Sequence, residues 1–244
     1  MNINLPTPLL VLWDIDHTLL DCGTVNRRAY AAAFRRATGV ELADGWRFDG
    51  RTELAAATEA LRAHDLDPGD GLRDTFMDLV VAELQDRAAE LAAEGGALPG
   101  AREALAAVAA APGVRQSVLT GNVPALALLK LSAFGLSEYL DLRLGAYGDD
   151  AYERSDLPAH AFARAERVLG RRYQGRNAVI VGDTLRDVAT ARAAGARCVA
   201  VATGTVPARE LAEAGADAVL ADLTDTAAVL AALTAGAEGS PERP

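Results

Sequence analysis

Carboxylates follow two apolar runs of this sequence, at the points where buried strands are expected to end. Asp14 and Asp16 come directly after residues 9–13, and Asp183 and Asp187 come after a second run of the same kind. Clustered carboxylates repel one another unless a cation lies between them, and hard oxygen ligands favour Mg²⁺. These residue types and this spacing therefore predict a site for Mg²⁺ and a phosphoryl group.

The elements that position these residues are predicted from the alternation of apolar runs with Ala- and Leu-rich segments of helical spacing. This pattern predicts an α/β domain around a mostly parallel sheet. Strands are expected at residues 9–13, 117–119, 178–181, 198–201 and 218–220, with a further short strand at 141–144. Helices are expected at residues 101–110, 124–134, 158–169, 185–194 and 207–214.

Ligands of open α/β sheets bind beyond the carboxyl ends of the strands. The residues at those ends should therefore meet. Besides the four carboxylates, the strand ends supply Thr18 after residues 9–13 and Thr120, Gly121 and Asn122 after residues 117–119. Hydroxyl groups and flexible backbone beside clustered carboxylates are suited to binding a phosphoryl group.

Residues 22–96 interrupt the alternation, because they contain helical candidates at 25–38, 52–63 and 72–93 but no convincing strand. We predict a helical insertion that makes the α/β core discontinuous, over residues 1–21 and 97–235. Residues 236–244 are rich in Gly, Ser, Pro and charge, and they are predicted to form a flexible tail.

Composition limits the partners and the compartment. The formal net charge of −10 argues against a nucleic-acid backbone or an anionic membrane surface as the main partner. The two cysteines have no metal-type spacing, and the sequence has no apolar run long enough to span a bilayer and no signal-peptide pattern at its start. We therefore expect a cytoplasmic protein, either a monomer or a homodimer.

Three motifs in order resemble the haloacid dehalogenase superfamily, whose members are mostly aspartate-dependent phosphatases. The DxDxT motif is matched from Asp14 to Thr18, and the apolar strand that ends in threonine is matched at Thr120. The GDxxxD motif is matched from Gly182 to Asp187. The resemblance covers nearly the whole chain, and it implies a Rossmann-like core with an inserted helical cap of the C1 type.

The resemblance also implies a role for each matched residue. Asp14 would attack phosphorus and become an aspartyl phosphate, while Asp16 would protonate the leaving oxygen and then deprotonate the water. Asp14, the backbone carbonyl of Asp16, and Asp183 would hold Mg²⁺, with Asp187 binding it directly or through water. Thr120 would donate to a phosphoryl oxygen. Dehalogenases lack an acid at the position of Asp16, so phosphate-ester cleavage is favoured over carbon–halogen cleavage.

The sequence departs from the family pattern at the lysine of the third motif. The chain's only lysine is Lys130, and the helical rise would place it roughly a dozen Å from the chemistry. We therefore expect Arg154 to replace the family lysine and to pair with Asp14 and a phosphoryl oxygen. Ser155 aligns equally well with the lysine if Pro158 is the anchor, so this substitution stays open.

Two further positions carry alternatives. Arg51 lies in a predicted cap loop from Phe48 to Thr52, where it would bind the non-reacting end of the substrate or simply face solvent. His17 stands where the family usually has glycine, and we interpret it as a tolerated polar substitution rather than a catalytic group.

The predicted function is a Mg²⁺-dependent phosphatase that acts on a small phosphorylated metabolite, with phosphoglycolate phosphatase-like enzymes nearest in layout. One alternative is a sugar-phosphate mutase of the β-phosphoglucomutase kind, which shares the nucleophile, the acid and the helical cap. The other is a non-catalytic phosphate-binding module, related in its chemistry to receiver domains. The second acid, Asp16, and the length of the chain both oppose a receiver.

Overall fold

The computed structural model describes residues 8–43, 45–46, 50–69 and 71–236. In chain order, its larger elements are β1 (Leu9–Trp13), β2 (Leu20–Asp21), α1 (Val25–Thr38), α2 (Glu53–Ala63), α3 (Leu72–Asp86), α4 (Ala88–Glu94), β3 (Gly96–Ala97), α5 (Ala101–Ala110), β4 (Val114–Val118), α6 (Pro124–Ala133), α7 (Leu157–Leu169), β5 (Ala178–Gly182), α8 (Leu185–Ala193), β6 (Arg197–Val201), α9 (Ala208–Glu213), β7 (Ala218–Leu220) and α10 (Thr226–Thr234). Shorter 3₁₀ turns lie between α6 and β5.

The core is a five-stranded parallel sheet in the order β4-β1-β5-β6-β7. β1 lies between β4 and β5, so that Trp13 is level with Val118 on one side and Val181 on the other. Every residue of β1, β5 and β6 is buried, as expected for a parallel sheet covered on both faces. The predicted α/β fold is confirmed.

Successive β1 residues point to opposite faces of the sheet and enter different apolar clusters. Leu9, Val11 and Trp13 pack with α5, α6 and the helices after β2. Leu10 and Leu12 pack on the other face with residues of α7 and α8. Burying apolar surface on both faces stabilises the fold by about 25 cal/mol per Å². A shift in register would lose this stabilisation, so the register of β1 and the position of Asp14 are fixed.

Helices α1 to α4 form the insertion after β1. α1 packs on α3 through Phe34 and Phe76, whose rings meet edge to face with centroids 5.3 Å apart. The chain enters and leaves the insertion through β2 and β3, which pair antiparallel at Leu20 with Ala97 and at Asp21 with Gly96. No strand was predicted near this boundary, and the structure corrects that expectation, because a pair of two-residue strands leaves almost no periodic signal.

Two other expectations are also corrected. The strand expected at residues 141–144 is instead a 3₁₀ turn, Leu142–Leu144, begun by the Asp141 carboxylate accepting from the backbone N–H of Arg143 at 3.2 Å. The helix expected at residues 72–93 is interrupted at Arg87. α10 was not predicted.

In the described part of the chain, no helix combines the length and apolarity needed to cross a membrane. Most of the predicted tail, residues 237–244, lies outside the described residues.

Candidate active site

The carboxyl ends of β4, β1 and β5 bring the predicted site residues to one edge of the sheet. Asp14 follows β1, and its backbone N–H donates to the carbonyl of Val181 at 2.8 Å. Asp183 follows β5, and Thr120 lies just beyond β4. Asp14, Thr120 and Asp183 are all buried, because they sit between the sheet edge and the loops above it.

Asp14, Asp183 and Asp187 form a compact trio of buried carboxylates, each with an oxygen within 4.8 Å of the others. Burial raises the pKa of Asp14 to about 6, although Arg154 opposes the shift. Burial, together with the charges of Asp14 and Asp187, raises the pKa of Asp183 to about 8. Simultaneous ionisation of three buried carboxylates is unfavourable unless a cation neutralises them. A divalent cation with oxygen ligands would do so, and these residues could therefore hold a metal.

Asp187 is held by the start of α8. One carboxylate oxygen accepts from the backbone N–H of Thr184 at 3.0 Å and from its hydroxyl at 2.6 Å, while the Thr184 hydroxyl accepts from the N–H of Asp187 at 3.3 Å. This reciprocal capping fixes the Asp187 side chain relative to the strand end. The other oxygen accepts from Arg154. Because both Asp187 oxygens already have hydrogen-bond donors, Asp187 is less suited to coordinate a metal directly than to orient its neighbours.

The Arg154 side chain lies against Asp14. Its Nη2 lies 3.1 Å from an oxygen of Asp14 and 2.6 Å from one of Asp187. The side chain is buried, whereas Ser155, the alternative left open by the sequence, is exposed. Burial disfavours the charge, but the two carboxylates keep the pKa of Arg154 above its ordinary value. A permanent cation therefore faces Asp14.

The second carboxylate, Asp16, is paired with Lys130. Both Asp16 oxygens accept from the Lys130 Nζ at 2.9 Å, so the expectation that Lys130 lies remote from the chemistry is wrong. That expectation counted only rise along the helix, whereas side chains lean toward the helix N-terminus and a lysine stem is long. Burial alone would raise the pKa of Asp16, but the Lys130 charge and the hydrogen bonds from Asn122 and Lys130 lower it below its ordinary value.

Asn122 joins Asp16 to Thr120. Its Nδ2 donates to an Asp16 oxygen and to the Thr120 hydroxyl oxygen, both at 2.8 Å. Its Oδ1 accepts from Lys130 at 2.7 Å. The amide therefore sets the positions of two groups that the sequence predicted separately as members of the site.

These groups face a cavity of about 310 Å³ between the sheet edge and the insertion. Arg51 lines it from the insertion side, with Nη1 2.9 Å from Glu59, and its backbone carbonyl abuts Gly121. A Cβ at Gly121 would lie 1.9 Å from that carbonyl oxygen, so only glycine fits. Phe48 and Asp49 of the predicted cap loop lie outside the described residues.

Thr18 has a different position from the one expected. It is fully buried, and its hydroxyl donates to Asp183 at 3.1 Å. The residues that line the cavity do not include Thr18 among the described part of the chain. Its contacts therefore place it behind the carboxylate trio, where it orients Asp183.

His17 adopts a left-handed backbone conformation with φ of 60°. Its N–H donates to the carbonyl of Leu20 at 2.8 Å, and its carbonyl accepts from the Thr203 hydroxyl at 2.6 Å. Glycine adopts this conformation without steric cost, which accounts physically for the glycine of the family pattern.

Two other residues at the site were not predicted from the sequence. Glu53, the first residue of α2, lines the cavity and is buried. Gly204 lies so close to Asp183 that a Cβ there would be 1.8 Å from its carboxylate. Gly204 was detectable, because its loop follows the apolar run of β6 and parallel strand ends converge. Glu53 carried no such signal, since an acidic residue at a helix start is ordinary.

Comparison with known proteins identifies the family. The haloacid dehalogenase-like hydrolase family matches residues 9–195. A phosphoglycolate phosphatase from Yersinia pestis is 27% identical over 221 residues, which are 88% of this chain and 90% of that protein. A hydrolase structure from Pseudomonas syringae has a TM-score of 0.68 at 22% identity and covers 92% of this chain and 98% of its own.

A structure from Bacteroides vulgatus, provisionally assigned as a β-phosphoglucomutase, has a TM-score of 0.70 at 18% identity. The match covers 96% of this chain and 91% of that one. The two structural likenesses establish the fold alone.

The chain belongs to the haloacid dehalogenase-like hydrolase family. It is an enzyme, a phosphatase of this class, as the sequence predicted.

Proposed function

We propose that the protein is a Mg²⁺-dependent phosphatase that cleaves a small phosphate monoester through an aspartyl phosphate on Asp14. The observation that carries this proposal is the pairing of two carboxylates with different environments. Asp14 faces Arg154 and the carboxylates of Asp183 and Asp187, whereas Asp16 faces Lys130 and Asn122. Different environments suit one carboxylate to act as nucleophile and the other to transfer protons.

Asp14, Asp183 and the backbone carbonyl of Asp16 would hold Mg²⁺, with Asp187 supporting them. Bound Mg²⁺ would neutralise the negative charge that surrounds the transferring phosphoryl group. Thr18 and Gly204 fit this arrangement because they fix the Asp183 carboxylate from two sides.

The proposed reaction has two halves. A carboxylate oxygen of Asp14 bonds to phosphorus, the bond from phosphorus to the ester oxygen breaks, and that oxygen takes a proton from Asp16. Asp16 then takes a proton from water, whose oxygen bonds to phosphorus as the bond to Asp14 breaks. The net change consumes one water and yields an alcohol and phosphate. The negative phosphoryl group beside Asp16 favours the protonated carboxyl that the first half needs.

The remaining site residues would bind the substrate. Thr120 would donate its hydroxyl to a phosphoryl oxygen, with the backbone of Gly121 and the Asn122 amide beside it. Arg154 would add its charge to the same oxygens. Arg51 would meet the far end of the substrate, exchanging part of its pairing with Glu59 for a carboxylate or second phosphate of the ligand.

The substrate class follows from the size and charge of the cavity. About 310 Å³ lined by arginines and carboxylates suits a compact metabolite with two anionic groups, together with bound metal. Phosphoglycolate, named in the Yersinia pestis relative, is such a compound and is the first candidate. In this proposal residues 1–21 and 97–235 are the core, residues 22–96 are a cap that closes over the substrate, and the enzyme works in the cytoplasm as a monomer or homodimer.

The test is release of inorganic phosphate from a panel of monoesters, with Mg²⁺ and with excess chelator. Wild-type protein should act on at least one member, and chelation should abolish that activity. Asp14→Asn should lower turnover by at least about 10³-fold while its thermal unfolding stays near that of wild type. Full activity in Asp14→Asn would refute the mechanism.

The same panel separates hydrolysis from the mutase alternative. A mutase of the β-phosphoglucomutase kind would convert a sugar monophosphate into its isomer and release little phosphate. Isomer formation without stoichiometric phosphate would favour that alternative, while binding without turnover of any ester would favour a non-catalytic module.

A further inference from the structure

Lys130 is one of the buried residues of α6, with Leu126, Ala127 and Leu131, and it borders the cavity with a side chain that is only 1% exposed. A buried ammonium group is costly unless it is paired and hydrogen-bonded. Its three hydrogen bonds within the described residues are short, at 2.7 to 2.9 Å, and all go to Asp16 and Asn122.

These bonds restrict the Asp16 carboxylate to one orientation. Lys130 donates to both oxygens, and Asn122 adds a second donor to one of them. A carboxylate held at both oxygens cannot rotate without breaking a charged bond. The same Nζ also fixes the Asn122 amide, so that its Nδ2 points at Asp16 and Thr120.

We propose that Lys130 is the positioning residue of the proton-transferring carboxylate, acting through Asp16 and Asn122 rather than by touching the substrate. This inference rests on the proposed phosphatase function. The lysine holds Asp16 where the leaving oxygen and the attacking water pass in turn. Without Lys130 the carboxylate keeps its identity but loses its fixed place, and proton transfer becomes slow.

The test compares two substrates whose leaving groups differ in their need for a proton. An alkyl phosphate leaves as a poor alkoxide and needs protonation, whereas p-nitrophenyl phosphate leaves as a stable phenolate. Lys130→Met should lower kcat/KM for the best alkyl ester of the panel by about 100-fold, within the range typical of general acid catalysis. For p-nitrophenyl phosphate the loss should stay under about tenfold.

A double-mutant cycle checks that the effect passes through Asp16. In an Asp16→Asn background, Lys130→Met should change kcat/KM for the alkyl ester by less than about twofold. The double variant also removes both members of the ion pair, so neither charge is left without the other. A further large loss in that background would overturn the proposal.

A purely structural lysine predicts a different result, since a loosened fold would slow both substrates equally. Equal losses, or no loss, would therefore overturn the proposal. If Lys130→Met does not fold, as judged by circular dichroism, Lys130→Gln, which is uncharged but keeps a polar end, is measured with the same two substrates and judged by the same criterion. Both comparisons presuppose that the wild-type protein hydrolyses monoesters and that Asp14→Asn loses this activity. If either condition fails, the phosphatase function is contradicted, not the role of Lys130.

Discussion

Single residues in this site act mainly by holding carboxylates still. Asp183 shows this most directly, because Thr18 donates to one of its oxygens at 3.1 Å and Gly204 leaves no room beside the other. A metal ligand held from two sides spends little free energy on ordering when the ion binds. The absence of a side chain at position 204 is thus part of the proposed metal site.

Gly204→Ala should weaken Mg²⁺ binding while leaving the fold intact. Its Cβ would lie 1.8 Å from an Asp183 oxygen and force that carboxylate away from Asp14. We expect the Mg²⁺ concentration for half-maximal activity to rise by roughly 10- to 100-fold, as for other changes behind metal ligands. A Mg²⁺ titration of phosphate release measures it. Gly96→Ala is the matched control, since a Cβ there meets nothing within 4 Å; equal Mg²⁺ requirements in both variants would contradict the prediction.

How well sequence predicts a residue of this site depends on whether strand ends or side-chain reach decides its position. Asp14, Asp183 and Thr120 follow apolar strands, so the sheet brings them together whatever the loops do. Lys130 depends on how a long side chain folds back from a helix, which periodicity does not record. Arg154 lies between these cases, because the loop that carries it was located from the sequence but its rotamer was not.

At the scale of elements, the start of α2 connects the insertion to the loops of the core. The backbone N–H of Glu53 donates to the carbonyl of Gly121 at 2.8 Å, and that of Leu54 donates to Gly148 at 3.1 Å. The Glu53 carboxylate accepts from the N–H of Val123 at 2.8 Å and from the Tyr30 hydroxyl. The helix start and the loop after β4 are therefore held together around the cavity.

Glu53→Ala should loosen this connection. It removes the acceptor for a buried backbone N–H, which costs about 1–3 kcal/mol of unfolding free energy. We expect KM for the best ester to rise by roughly tenfold, since the cavity wall supplied by the insertion no longer holds its place. Steady-state kinetics and urea denaturation measure the two effects.

Glu53→Gln is the matched control for that variant, because its side-chain carbonyl can still accept from Val123. It should keep KM within about twofold of wild type, consistent with a bond that depends on an acceptor rather than a charge. Burial raises the pKa of Glu53 to about 7, so the neutral side chain is already accessible near neutral pH. A Glu53→Ala enzyme with wild-type KM would show that the insertion is held by its backbone bonds alone.

Element boundaries followed the strength of the local signal. α1 was predicted with its observed bounds, because an apolar stripe runs its whole length and Gly39 ends it with a φ of 75°. The β2–β3 pair and the interruption at Arg87 were missed, since two-residue strands and a single distorted helical turn leave no periodicity. Only the packing of the insertion on the core decides those details.

At the scale of the whole molecule, this acidic protein places more carboxyl groups at one sheet edge than can all ionise without a cation. The formal net charge is −10, and Asp14, Asp183 and Asp187 lie within reach of a single ion. Burial, reinforced by the neighbouring carboxylates, raises the pKa of Asp14 to about 6 and that of Asp183 to about 8 in the metal-free protein. Metal binding and proton release should therefore be linked across the neutral range.

The sign of that linkage determines how the stabilisation of the protein by Mg²⁺ changes with pH. Both pKa values exceed the ordinary aspartate value of 3.8, so the stability these groups contribute without metal is present at low pH and is lost as pH rises through about 6 and about 8. Mg²⁺ needs the ionised groups and restores what is lost. The rise in Tm on adding Mg²⁺ should thus be small at about pH 5 and grow steadily to about pH 8.5. Thermal denaturation with Mg²⁺ or chelator across that range measures it, and Asp183→Asn should flatten the dependence. A Mg²⁺ effect on Tm that is independent of pH would mean that the ion does not displace protons from these carboxylates.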